Sequence, residues 1–180
     1  IILSAVSATI LTRIYYDSAP MMTVDVISAN LITEMALFTL MGLAIGSLAA
    51  LFIQLLLFIS RLTADWAIWL RYPLAGLLCG LLAIPPPEIM GFGYETITSI
   101  LKSDPDALLL FSLVSFKLFA TACAIGLGLP GGLFGPTLVI GAAAGGLTGV
   151  AIQSLLGSDM SEIGFYAIIG MVTMMGATLQ

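Results

Sequence analysis

From Met35 to Ser60 the chain runs 26 residues without a formal charge, and no other feature restricts its fold so severely. A stretch of that kind keeps its backbone satisfied as a helix in an apolar medium. At roughly 1.5 Å rise per residue it is about 39 Å long against about 30 Å of hydrocarbon, which predicts a strongly tilted span. Gly42, Gly46 and Ala50 recur along it every four residues, the small-residue spacing by which membrane helices approach closely. The whole chain agrees, being 60% hydrophobic and 8% charged, where soluble domains carry about a quarter charged residues.

Much chemistry is excluded. The net charge of −5 comes from ten acids and five bases, and the acids sit mostly in connecting segments, which argues against nucleic acid as a partner. There is no histidine, which removes serine–histidine and cysteine–histidine catalysis and most zinc sites. Cys79 and Cys123 lie far apart inside apolar runs and read as small packed hydrophobes. With no paired carboxylates inside a span and no nucleophile beside a base, the sequence predicts neither an enzyme nor a metal or cofactor site. Nothing basic precedes the first apolar run, so no signal peptide is visible. Ile1 and Gln180 both lie within or against apolar runs, which predicts a single partial transmembrane domain over 1–180, truncated at both ends.

In chain order, Ile1 to Tyr16 reads as the remnant of a spanning helix. Asp17 to Glu34 reads as a connector carrying Asp17, Asp25 and Glu34. After the long span, Arg61 to Arg71 holds two arginines with Trp66 and Trp69, a combination that points to the cytoplasmic side and puts the acidic connector outside. Tyr72 to Ile84 is too short to cross easily and predicts a partial or buried span. Gly91 to Lys102 predicts a short amphipathic helix near the interface, with Glu88 and Glu95 as solvated acids. Asp104-Pro105-Asp106 opens the helix Ala107 to Ile125, and Leu133 to Leu156 is another. Gly141, Gly145 and Gly149 are again four apart. A polar turn from Ser158 to Glu162 leads to the last apolar run, Ile163 to Gln180. The fold class is an all-α membrane protein with tilted and partly discontinuous transmembrane helices, the kind that suits a transporter or channel.

Between two of these helices Ile125 to Leu138 read Ile-Gly-Leu-Gly-Leu-Pro-Gly-Gly-Leu-Phe-Gly-Pro-Thr-Leu. The stretch predicts a helix that stops, a glycine-rich bend, and a new helix starting near Leu133 with Pro136 in its first turn. Such a start leaves N–H groups unpaired and carries roughly half a positive charge. In a low-dielectric setting that is a site for a small anion, while the same residues also make an ordinary turn. Gly126-x-Gly128-x-x-Gly131 matches the dinucleotide fingerprint, but the apolar run before it is too long for a strand and no acid follows until Asp159. Lys117 is the one formal charge between Asp106 and Asp159. It reads as an ammonium held by carbonyls or snorkelling along its stem, and alternatively as a fixed charge serving an anion pathway. Nothing in the spacing aims it at the bend.

Pro130-Gly131-Gly132-Leu133-Phe134-Gly135-Pro136 resembles the G-x-F-x-P signature of the CLC chloride channels and chloride/proton antiporters. The flanks are similar too, from Lys117-Leu118-Phe119-Ala120-Thr121-Ala122 before it to Ile140-Gly141-Ala142-Ala143-Ala144-Gly145-Gly146 after it. So are Pro87-Glu88-Ile89-Met90-Gly91-Phe92-Gly93-Tyr94-Glu95-Thr96-Ile97, ahead of that helix pair, and Ile169-Gly170-Met171 through Gly176-Ala177-Thr178. The resemblance implies a fragment of an inverted-repeat helical fold, a homodimer in the lipid bilayer of a bacterial inner membrane, and chloride as the transported ion. It implies that backbone amides at Gly132, Leu133 and Phe134 bind the anion, supported by Pro130, Gly131, Gly135 and Pro136, and that the first helix lies near the dimer interface. The family's G-S-G-x-P and G-x-E-G-P segments, its pathway tyrosine and its internal proton-handling glutamate are not in this chain. Gly126-Leu127-Gly128-Leu129 also lacks the serines often found before the signature. Channel and antiporter remain undivided, beside two further readings: a non-conducting helical scaffold and a secondary transporter for an organic anion.

Overall fold

Every regular element among the described residues is a helix. The computed structural model describes residues 31–84, 90, 93–102, 105–157 and 161–179, together with Val6, Ser7, Ile10, Leu11 and Ile14, which are helical. The elements are α1 (Leu31–Leu62), α2 (Ile68–Leu82), α3 (Tyr94–Lys102), α4 (Ala107–Gly126), α5 (Phe134–Leu156) and α6 (Ile163–Thr178). Among the described residues, three helical stretches are long and apolar enough to cross a membrane: Glu34–Leu62, Ala107–Gly126 and Phe134–Leu156. The uneven helix lengths match the expectation of a discontinuous membrane fold. The expected helix over Ile1 to Tyr16, most of the connector and the Pro87 to Phe92 segment lie largely outside the described residues.

Hydroxyls on the apolar helices are satisfied by their own backbone. Thr39 donates to Met35 O at 2.9 Å, Ser47 to Leu43 O at 2.7 Å and Ser115 to Phe111 O at 2.9 Å. Such bonds let polar residues sit in a span without a lipid-facing orphan group. Helix α4 starts as its sequence predicts, with Asp106 extended at the N-cap and its carboxylate accepting from Leu108 N–H at 3.3 Å.

The core is built around α5, whose residues from Val139 to Gly146 are all buried. Helix α6 lies against it almost backbone to backbone. A Cβ on Gly141 would come within 2.6 Å of Gly170 O, and one on Gly149 within 3.0 Å of the Tyr166 ring. This is the close approach that the four-residue glycine spacing predicts. Helix α1 lays Met41, Ile45, Ala49 and Phe52 into the cluster containing Leu118, Ala122, Ile140 and Tyr166. Helix α3 buries Ile97 and Ile100 against α5 and α6.

Three expectations need correction. Glu34 is not in a connector: α1 already includes Leu31, and Glu34 lies in its first turn, fully buried. The face bearing Gly42, Gly46 and Ala50 is not the packed one among the described residues, since a Cβ at Gly42 or Gly46 would meet nothing within 4 Å and Ala50 is exposed. The bulkier Met41, Ile45 and Ala49 line gains more apolar burial there. The short span begins earlier than Tyr72, at Ile68, and only Ala75 in it is buried. Helix α3 is amphipathic as expected, with Glu95 exposed, but its apolar face packs inside the protein.

Candidate functional site

Helix α4 ends where the glycines begin, and it ends with its carbonyls occupied. Leu127 N–H donates to Cys123 O at 2.9 Å, Gly128 N–H to Ile125 O at 2.9 Å and Leu129 N–H to Ala124 O at 3.0 Å. The last two are the paired bonds of a Schellman ending, with Gly128 at φ +90° where a Cβ would be strained. The remaining carbonyl of that turn, Gly126 O, lies 3.4 Å from the hydroxyl of Thr63, just beyond α1, which also donates to Ile59 O at 2.9 Å.

The start of α5 is the opposite case. Leu133 is its N-cap, at φ −75° and ψ −21°, and its side chain makes no capping bond. The helical ladder begins with Thr137 N–H donating to Leu133 O at 3.0 Å. The N–H groups of Phe134 and Gly135 therefore have no acceptor within the helix, and Pro136 has no N–H to satisfy. The turn between α4 and α5 thus brings a capped carbonyl end and an uncapped amide end to one place.

Both ends open on a cavity of about 470 Å³. Gly76, Cys79 and Gly80 of α2 form one wall, Lys117, Thr121 and Ala124 of α4 another, and Gly131, Gly132 and Pro136 a third. Lys117, Thr121 and Ala124 share one helical face, and all three line the chamber that the glycine turn borders. Lys117 itself is 4% exposed. Added Cβ atoms at Gly76, Gly80, Gly131 or Gly132 would meet nothing within 4 Å, so these glycines keep the chamber walls low. Among the described residues, no carboxylate lines it. Backbone donors and a cationic side chain in an apolar surround suit a small anion.

A family model described as "Voltage gated chloride channel" matches residues 1–180. The chain belongs to the voltage-gated chloride channel family. Along its whole length it is 30% identical to the "H(+)/Cl(-) exchange transporter ClcA" of Vibrio cholerae, covering 40% of that protein. Over 119 residues, 66% of this chain and 27% of the relative, it is 37% identical to the "Voltage-gated ClC-type chloride channel ClcB" of Escherichia coli. The chain spans less than half the length of these curated relatives.

Within this chloride channel family chain, the residues singled out by the sequence fall around one feature. Gly131, Gly132 and Pro136 border the cavity. Leu133 and Phe134 lie between them, Leu133 packed onto the core and Phe134 50% exposed, with Pro130 within the turn and Gly135 in the first turn of α5. Lys117, which sequence spacing left unconnected to the bend, joins it. The dinucleotide alternative fails on structure, since a 20-residue helix precedes the glycines. The cysteines are both free, with Cys79 donating to Ala120 O at 3.4 Å.

One buried group escaped the sequence reading. Glu34 Oε1 accepts from Ser161 N–H at 2.9 Å and Ser161 Oγ at 3.0 Å, and Oε2 accepts from Tyr166 Oη at 2.6 Å. Gln153 donates to Ser161 O at 3.1 Å, and the Phe38 ring meets Phe165 edge-on and Tyr166 at a tilt. The cluster ties the start of α1 to the turn between α5 and α6. Its one local signal is an acid followed at once by an uncharged run, at the end of a helix where negative charge is favoured.

Proposed function

We propose that this chain forms one wall of a chloride pathway in a membrane-embedded transport protein, with the amides at Gly132, Leu133 and Phe134 receiving the ion. The observation that carries this reading is the shared cavity, which the uncapped start of α5 and Lys117 both reach while the carbonyls of α4 are occupied. An ion that sheds water on entering gains donors, and a nearby ammonium deepens the well. The full protein works in a lipid bilayer, in a bacterial inner membrane, as a homodimer, and moves an ion rather than transforming a substrate. No resident cofactor is needed for that task.

Reconstitution of the full-length protein into chloride-loaded vesicles tests the reading. Chloride efflux is expected when a voltage or proton gradient drives it, and Lys117→Met should slow it by about tenfold, a loss near 1.4 kcal/mol. No efflux under either gradient would contradict chloride transport. Because one relative bears the name of an exchanger and another that of a channel, proton movement recorded alongside chloride separates the two activities.

A further inference from the structure

Buried hydroxyls in this chain find a partner close at hand. Thr137 donates to Phe134 O at 2.9 Å, Thr178 to Met174 O at 2.9 Å and Ser161 to Glu34 at 3.0 Å. A hydroxyl in an apolar helix ordinarily turns back onto its own backbone in this way. Thr121 does not. It is 7% exposed, yet among the described residues nothing bonds to its hydroxyl. Arg71 Nε is, among the described residues, the one side-chain nitrogen or oxygen that is sealed off without a hydrogen bond. The Thr121 oxygen therefore keeps open surface, and it opens on the chamber that Thr121 lines.

The place of this hydroxyl along α4 fits a bound ion. Thr121 stands four residues after Lys117 and five before the helix end at Gly126, about 6 Å from the first and about 7.5 Å from the second along the axis. Lys117 and Ala124 line the chamber beside it, and the glycine turn forms a further wall. The Cys79 thiol on the α2 wall already gives its proton to Ala120 O at 3.4 Å. A buried donor without an acceptor costs free energy until something accepts from it. With an ammonium on the same wall, an anion is the acceptor that the surroundings favour.

We propose that Thr121 is a side-chain ligand of the anion in this chamber, its hydroxyl donating to the ion between the ammonium of Lys117 and the glycine turn. This rests on the anion-pathway reading above and adds to the amides of α5 a side-chain donor from a different helix.

The test compares Thr121→Val with Thr121→Ser in the full-length protein, reading chloride affinity by calorimetry and the unfolding midpoint with and without chloride. Valine keeps the shape and removes the donor, so chloride should bind about 10-fold more weakly or worse. Its midpoint without chloride should stay within about 2 °C of the wild type, because the hydroxyl has no protein partner to lose. Serine keeps the donor and should stay within about threefold of the wild-type affinity, with chloride still raising its midpoint. Unchanged affinity in Thr121→Val would overturn the role of Thr121, and so would equal weakening in Thr121→Ser. A valine variant that unfolds readily without chloride, or does not fold, would overturn it as well, by showing that the hydroxyl is tied to the protein. A wild-type protein that binds no chloride would instead overturn the anion site itself.

Discussion

Glu34 is the residue whose surroundings say most about how this chain holds together. Its carboxylate is fully buried and accepts three hydrogen bonds, from Ser161 N–H, Ser161 Oγ and Tyr166 Oη. Replacing it by alanine strands those donors in an apolar interior, so Glu34→Ala should lower stability by about 2–3 kcal/mol. Tyr166→Phe removes one bond and keeps the ring against Gly149, and should cost about 1 kcal/mol. Urea or thermal unfolding in detergent checks both, and the double variant should lose less than the sum because the two residues share one bond. The sequence could not disclose this cluster, since Glu34 lies 127 residues from Ser161 and 132 from Tyr166. Lys117 was legible only by half: its cost inside a span marks it from sequence alone, but its place on the cavity depends on how α2 and α5 pack around α4.

At the scale of elements, one pattern of small residues has two outcomes. Gly141 and Gly145 on α5 meet the backbone of α6 directly, whereas Gly42 and Gly46 on α1 meet nothing within 4 Å of an added Cβ. The four-residue spacing thus states that a helix is able to be approached, and tertiary packing decides where approach occurs. Gly145→Ala would drive its methyl group into Tyr166 O, so α6 must move away from α5. The expected outcome is a loss of about 2 kcal/mol or more, or a protein that no longer elutes as a single species in detergent. Helix ends were read with better success, because capping chemistry is local. Asp106 opens α4, Gly128 closes it, and Pro136 falls in the first turn of α5. What stayed hidden was Thr63 on the carbonyl of Gly126, a contact across 63 residues.

For the whole molecule, the account reduces to two helices meeting head to tail beside a chamber of about 470 Å³. The interruption of the apolar sequence was plain from its glycines, and so was membership of a transport family. The chamber was not, because its third wall comes from Gly76 and Gly80 on α2, a short helix whose own sequence suggests only a partial span. The central claim is that an anion sits at the uncapped start of α5. Crystals of the full-length protein soaked in bromide, with diffraction recorded at the bromine absorption edge, test it most directly. An anomalous peak is expected within hydrogen-bonding distance of the amides at Leu133 and Phe134. It should weaken in Gly132→Val, whose side chain has room to form but intrudes on the chamber. Bromide bound only elsewhere, or a peak at α5 indifferent to Gly132→Val, would contradict the account.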